Sequence, residues 1–184
     1  TVQILANNQD SCKDQFMIIS LANVIKYPLN KNVKVKTLYK NNFHSFIKLF
    51  ILPLTIIKLA LVLKNIQIKS IISFHQQSHL LNVIISKFLS YKPIISERAY
   101  IELYYGNKNK ILRPIIKILY NNSSLVIVND IEIKESLISY YKIKTKIKVI
   151  NNLLDASNFK NNINIQKQDP KTKFITIGRL SKEK

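Results

Sequence analysis

His75 and His79 stand four residues apart in the segment HQQSH, a spacing that lets two imidazoles share one face of a helix. Such a pair could hold a metal ion, but a zinc protease helix carries Glu where Gln76 stands, and no cysteine lies nearby. The alternative is structural: His75 ends a strand, and His79 lies partly buried in the first turn of the next helix. The sequence favours this structural interpretation, and we therefore predict no bound metal.

The cysteine and glycine content limits the remaining chemistry. Cys12 is the only cysteine, so it cannot form an internal disulfide, and no neighbouring base would activate its thiol. We expect an inert thiol in a reducing compartment. Gly106 and Gly178 are the only glycines, so neither a dinucleotide-binding glycine turn nor a P-loop is present in these 184 residues. The sequence thereby excludes dehydrogenase and P-loop kinase chemistry for this segment.

Two pairs of charged residues follow apolar runs, where a parallel sheet presents its binding edge. Glu97 and Arg98 come after the run 92–96 and could orient a substrate hydroxyl or an anionic group. An ordinary surface ion pair is the other interpretation, and the sequence leaves both open. Arg179 follows the run 173–178, and Lys184 comes five residues later. Both side chains suit phosphate oxygens, with solvated charges at a frayed end as the alternative.

The net charge is strongly positive, because 29 Lys and Arg against 10 Asp and Glu leave +19. Such a charge attracts phosphates, anionic lipids and nucleic acid. Lys is spread along loops and apolar segments alike, so the charge permits these partners without identifying one. The most apolar stretch, 46–63, is interrupted by Lys48, Pro53 and Lys58 before it is long enough to span a bilayer. We expect a buried or interfacial helix there and a cytoplasmic protein, with peripheral contact at the inner face of the cell membrane left open.

Short β-branched runs alternate along the chain with longer segments whose apolar residues recur three and four apart. This alternation predicts an α/β fold, a Rossmann-like parallel sheet with helices on both faces. The predicted strands are 2–5, 33–39, 70–74, 92–96, 124–129, 147–151 and 173–178, and the predicted helices are 14–27, roughly 43–64, 78–91, roughly 110–122 and 130–142.

Two boundaries carry additional signals. Asn129 can cap a helix that begins at Asp130, with Glu132 reaching back to complete a capping box. The polar stretch 161–173 has no periodicity and contains a proline, which is typical of a linker. We therefore predict an N-terminal Rossmann-like domain at 1–160, a linker at 161–172 and the first strand of a second domain at 173–184.

Six segments of the chain, taken in order, resemble one enzyme family. They are FMIISLANVI (16–25), the strand ends in IISFHQQSHLLNVII (71–85) and PIISERAY (93–100), SLVIVNDIEIKESL (124–137), VINNLLDASNF (149–159) and FITIGRLSKEK (174–184). Together they resemble the family-4 (group 1) glycosyltransferases of the GT-B fold, in which two Rossmann-like domains close over a nucleotide sugar. The first part is similar to the helix that follows the family's glycine-rich first loop. The resemblance covers the whole chain.

The resemblance implies a retaining transferase that moves a sugar from a nucleotide-sugar donor to a polysaccharide or lipid-linked acceptor of the cell envelope. It implies no bound metal and no other cofactor, because basic residues and a helix N-terminus stabilise the leaving diphosphate. By the same resemblance, Arg179 and Lys184 hold the donor diphosphate. The acceptor-side candidates are His75, Glu97 and Arg98, and the hinge residues are Asn151 and Asp155.

Two departures from the family pattern affect the expected activity. The segment CKDQ at 12–15 stands where the family has glycines, so its side chains would crowd a bound phosphate or acceptor. The sequence stops at Lys184, before the family's E-x7-E motif, so we expect this segment alone to transfer no sugar.

The alternative function is a non-catalytic basic Rossmann-like module that binds anionic membrane or nucleic acid. Nucleic acid is the weaker of these two partners, because the sequence has no alternation of aromatic and basic residues.

Overall fold

The computed structural model describes residues 17–22, 29, 33–40, 47, 50–102, 106 and 109–152. These residues belong to the first of the two units into which the chain divides, Thr1–Leu154 and Asp155–Lys184. In chain order the elements are β1 (Met17–Ala22), β2 (Lys34–Tyr39), α1 (Leu52–Lys64), β3 (Ser70–Phe74), α2 (Gln76–Ser86), β4 (Lys92–Glu97), α3 (Asn109–Asn121), β5 (Leu125–Val128), α4 (Ile131–Ser139) and β6 (Ile147–Val149).

All the strand pairs in these ranges are parallel, and they form two sheets. Strands β1 and β2 pair with each other, and the four-stranded sheet has the order β3-β4-β5-β6. Its register places Phe74 opposite Ser96, Ser96 opposite Ile127 and Val128 opposite Val149, so the carboxyl ends of all four strands reach one edge. Strands alternate with helices, and the predicted Rossmann-like α/β fold is confirmed.

Two apolar clusters hold these elements together. The central cluster lies between β4, β5, α3 and α4 and includes Ile95, Tyr120 and Val126, each fully buried. The α1 cluster joins β2, α1 and α2 through residues such as Leu59 and Ile85, and apolar side chains from both sheets pack against it. Because burying one such side chain contributes roughly 1.5–3 kcal/mol, these clusters supply the main driving force for the fold.

Strand β1 corrects the sequence-based prediction of a helix at 14–27. Residues Met17–Ala22 pair in parallel with Lys34–Tyr39. The six-residue run MIISLA has β-branched Ile18 and Ile19 and is shorter than two helical turns, so its local pattern fits a strand as well as a helix. The parallel partner β2 decides the outcome. The predicted strand at 2–5 lies outside the described residues.

The other elements confirm the predicted types with shifted ends. Helix α1 begins at Leu52, later than the predicted start near 43, with Pro53 in its first turn, where a missing N–H costs no hydrogen bond. Helix α2 runs over Gln76–Ser86 and α3 over Asn109–Asn121, close to the predicted 78–91 and 110–122. Strand β6 covers Ile147–Val149 of the predicted 147–151. The predicted linker and last strand lie outside the described residues.

The predicted capping box at the start of α4 is wrong. Asp130 is the N-cap, in extended conformation, and its carboxylate accepts a hydrogen bond from the Glu132 backbone N at 2.8 Å. The Glu132 carboxylate accepts instead from the Tyr100 hydroxyl. The helix therefore begins one residue later than expected, and Asn129 takes no part as its cap. Across the described ranges, no helix combines the length and apolar character needed to cross a bilayer.

Candidate functional site

The carboxyl edge of the four-stranded sheet is the candidate site. Strands β3, β4, β5 and β6 end there at Phe74, Glu97, Val128 and Val149. In an open parallel sheet, the loops that follow these ends carry the ligand-binding side chains. The first residues after the strands are His75, Arg98, Asn129 and Ile150.

Arg98 spans this edge between its first and last strands. Its guanidinium carbon lies 5.6 Å from the centroid of the Phe74 ring, at the end of β3. Its Nη1 donates to Asn152 Oδ1 at 2.6 Å, just after β6. A cation over an aromatic face together with a side-chain hydrogen bond fixes the orientation of a long side chain. Arg98 is half-buried, so its guanidinium reaches the edge in a defined position.

Glu97 supports this arrangement from below the surface. Its Oε1 accepts hydrogen bonds from the backbone N of Arg98 at 2.9 Å and of Ala99 at 3.1 Å. Its Oε2 accepts from the Tyr120 hydroxyl at 2.5 Å and from the Gln76 side-chain amide. With 5% exposure, Glu97 is not one half of a surface ion pair, so that interpretation is wrong for this residue. The carboxylate therefore links the backbone directly after β4 to α2 and α3.

His79 lies in the first turn of α2, as the structural interpretation placed it, and is fully buried, where partial burial was expected. Its Nδ1 shares a hydrogen bond of 2.9 Å with Ser73 Oγ, and its Nε2 lies 3.7 Å from Glu97 Oε2. Burial, with a smaller contribution from the nearby His75, lowers the pKa of His79 to about 3. The imidazole is therefore neutral at physiological pH and acts as a polar link inside the core.

Asn82 completes this buried polar network. Its Nδ2 donates to Ser73 Oγ at 3.1 Å and to the backbone carbonyl oxygens of Ile71 and Ile94 at 3.0 and 3.1 Å. The network therefore ties β3 and β4 to α2. Sequence reasoning missed Asn82, Ser73 and Tyr120. For Asn82 the available signal was a polar side chain on the core-facing side of α2. An unpaired polar group is costly there, so such a residue implies hydrogen-bond partners.

His75 has an unusual backbone at the same edge. It is the N-cap of α2, with φ 89° and ψ 140°, and its side chain makes no capping hydrogen bond. A positive φ is uncommon for a residue with a Cβ and persists where the surrounding structure enforces it. The exposed imidazole therefore starts from a constrained backbone directly after Phe74, at the carboxyl edge of the sheet.

A second group of polar side chains ties the segment after β4 to α4. The Tyr100 hydroxyl donates to the Glu132 carboxylate, and this hydrogen bond raises the pKa of Tyr100 to about 12. The Ser136 hydroxyl donates to Glu102 Oε1. In the described part of the chain, no group of three or more His, Cys, Asp and Glu side chains is placed to hold a metal ion.

The structure thus brings three predicted site residues to one edge, Glu97 beneath it and His75 and Arg98 upon it. Asn151 is exposed two residues after β6 and adjoins Asn152, the partner of Arg98. Asp155, Arg179 and Lys184, together with Cys12, lie outside the described residues, so their roles stay predictions.

No protein-family model matches this chain, and no curated protein is significantly similar to it. What the structure shows is an α/β fold with parallel sheets and Rossmann-like alternation of strands and helices.

Proposed function

We propose that the chain forms the acceptor-side domain of a retaining glycosyltransferase resembling family 4, acting on a polysaccharide or lipid-linked acceptor with a nucleotide sugar as donor. The single observation that carries the proposal is the arrangement of Glu97 and Arg98 at the end of β4. Glu97 is buried and holds the turn, while Arg98 is directed across the carboxyl edge. This is the edge at which parallel α/β sheets bind their ligands.

The proposed roles follow from chemistry and position. The Arg98 guanidinium offers a rigid fork of donors that suits a phosphate or carboxylate on the acceptor. The exposed His75 imidazole offers a hydrogen-bonding nitrogen to an acceptor hydroxyl at the same edge. Glu97 is a positioning residue, because its oxygens are already occupied by four donors from the protein.

The donor side of the proposal rests on the motif resemblance. Arg179 and Lys184 would hold the donor diphosphate, and Asn151 and Asp155 would form the hinge between two domains. Basic side chains can stabilise a leaving diphosphate by hydrogen bonds and charge, so the proposal requires no metal.

The test is an assay of the full-length protein as its gene encodes it. The protein is incubated with each of several nucleotide sugars and a lipid-linked glycan fraction, and release of nucleoside diphosphate is measured. We expect one preferred donor and a product that retains the anomeric configuration. Arg98→Ala should raise the acceptor KM by about tenfold or more, since a charged hydrogen-bonding partner is lost.

Arg113→Ala is the matched control, because Arg113 stacks over the Tyr140 ring at 4.4 Å, on α3 and away from the sheet edge. It should leave both kinetic constants near those of the unchanged protein. Equal losses in the two variants would contradict the assigned role of Arg98. Absence of transfer with every donor, together with salt-sensitive binding to anionic surfaces, would instead favour the non-catalytic basic module.

A further inference from the structure

Helix α1 is apolar on two opposite sides. Thr55, Leu59 and Leu63 form its buried side, which packs into the α1 cluster. Leu54, Ile57 and Leu61 lie on the opposite side and are each more than half exposed, and Phe50, just before the helix, is 81% exposed. These four are spaced four, three and four residues apart, so they form one continuous line on the outer face. A helix with apolar side chains on two opposite sides normally contacts apolar material on both of them.

Helix α3 repeats this arrangement. Ile111, Ile115 and Ile118 recur at the same helical spacing and are 76, 53 and 65% exposed. The opposite side of α3, with Ile116 and Tyr120, is buried in the central cluster. The outer line of α1 and that of α3 are together called the outer apolar surface.

Both lines belong to one layer of helices. Helix α2 contacts both α1 and α3, with Leu81 and Ile85 in the α1 cluster and Val83 in the central cluster. Strands β3, β4 and β5 are successive neighbours, and right-handed crossovers place α2 and α3 on the same face of their sheet. The exposed sides of α1 and α3 therefore face away from the sheet in the same general direction. Monomeric proteins rarely leave such apolar lines uncovered, and those that do commonly use them for binding.

The helices that carry and connect this surface, α1, α2 and α3, have charges of a single sign. The sequence has no Asp or Glu between Asp14 and Glu97 or between Glu102 and Asp130, so α1, α2 and α3 carry no acidic residue. Exposed Lys64, Lys110 and Lys117 lie on α1 and α3 themselves. The described acidic residues lie instead at the carboxyl edge of the sheet and on α4. An apolar face bordered by lysines complements a bilayer with anionic headgroups, since lysines reach the headgroups while apolar side chains enter the acyl boundary.

We propose that the outer apolar surface docks the protein on a bilayer that contains anionic lipids. A second copy of the chain would bring two positively charged surfaces together, and a nucleic acid would leave the exposed Ile, Leu and Phe side chains in water. A bilayer with anionic lipids attracts the lysines and also removes the exposed apolar side chains from water. The surface lies on a helix face, separate from the carboxyl edge, and the inference does not depend on sugar transfer.

Phe50→Trp provides a direct probe, because the chain has no tryptophan of its own. Vesicles of phosphatidylcholine with about one-third phosphatidylglycerol should shift the Trp emission to shorter wavelength, as the indole enters the acyl boundary. Pure phosphatidylcholine vesicles should shift it less, and a double-stranded DNA of equal charge should not shift it. An unchanged spectrum with anionic vesicles would overturn the proposal.

Loss of docking is tested with Ile57→Gln/Leu61→Gln, measured by vesicle flotation. Because the variant lacks two apolar side chains that would insert into the bilayer, the bound fraction at subsaturating lipid should fall by about tenfold or more. The matched control is Ile72→Gln. Ser73 faces α2 through its bonds to His79 and Asn82, so its neighbour Ile72, 40% exposed, faces the other side of the sheet. Ile72→Gln should change flotation less than about twofold.

Three results would overturn the proposal. One is equal flotation of the double variant and the control. Another is binding that high salt abolishes completely, since docking by charge alone makes no use of the apolar lines. The last is a dimer in lipid-free solution, seen by light scattering, that Ile57→Gln/Leu61→Gln dissociates, because a second copy would then cover the surface. Circular dichroism of each variant establishes that it is folded.

Discussion

Among single residues, Glu97 and His79 have the most restrictive surroundings. Both are buried, and each contacts groups from other elements: Glu97 those of α2 and α3, His79 those of β3 and β4. A buried polar group is tolerated when it is hydrogen-bonded and is costly when a partner is removed. Substitutions here therefore test whether the polar network holds the β4 edge in place.

Glu97→Ala should lower the free energy of unfolding by about 3 kcal/mol or more, because it leaves four donors without their acceptor. Glu97→Gln should cost less, since the amide keeps the volume and one acceptor oxygen. Urea unfolding measures both. Glu135→Ala, at an exposed position of α4, is the control and should stay within about 0.5 kcal/mol of the unchanged protein. A similar cost at both positions would contradict the role of Glu97.

His79 should make stability depend on pH. Its pKa is lowered to about 3 in the folded protein by burial, then by His75, against about 6.5 when unfolded. Between these two values the unfolded chain binds a proton that the folded chain does not. The contribution of His79 to stability is therefore complete above about pH 6.5 and is lost as the pH falls towards 3.

The measurement is urea unfolding from pH 7 to pH 4, with His79→Asn as the comparison. The variant should be less stable at pH 7 but should show a shallower loss on acidification. The Glu97 carboxylate lies 3.7 Å from Nε2 and would favour a protonated imidazole. Parallel pH profiles for the two proteins would contradict the lowered pKa and show that this attraction offsets the effect of burial on His79.

At the scale of elements, the N-cap of α4 lies one residue later in the chain than the sequence suggests. Asp130, and not Asn129, accepts from the Glu132 backbone N at the start of α4. Glu132 is engaged by Tyr100 from the segment after β4, so a tertiary contact removes the side chain that would have closed the capping box.

Asp130→Ala should destabilise the protein by about 1 kcal/mol, the usual effect of losing an N-cap acceptor. Asn129→Ala is its direct counterpart, and it should cost less, because the Asn129 side chain makes no capping bond to α4. Thermal unfolding of the two variants distinguishes the alternatives. The reverse order of Tm values would restore Asn129 as the cap.

For the molecule as a whole, the two apolar clusters are joined through α2. Val83 of this helix lies in the central cluster, while Leu81 and Ile85 lie in the α1 cluster. A rigid helix that contributes to both clusters should make them unfold together. The described part of the unit is therefore expected to behave as one cooperative structure.

Ile95→Ala and Ile85→Ala test this expectation, one in each cluster and both at fully buried positions. Each should cost about 2–5 kcal/mol, from lost burial and the cavity left behind. Tyrosine fluorescence and circular dichroism should report a single shared transition in both variants. Two separated transitions in Ile85→Ala would show that the clusters fold independently.

The sequence by itself determined the alternation of strands and helices from β2 to β6, because β-branched runs and helical spacing are local signals. It also placed Glu97 and Arg98 at the end of a strand and His79 in the first turn of a helix. The tertiary structure alone decided that 17–22 is a strand, since its partner β2 supplies the backbone hydrogen bonds. It likewise decided that Glu97 is buried, because Gln76 and Tyr120 approach it from distant parts of the chain. Which apolar side of α1 faces outward was also a matter of packing, since apolar side chains lie on two opposite sides of this helix.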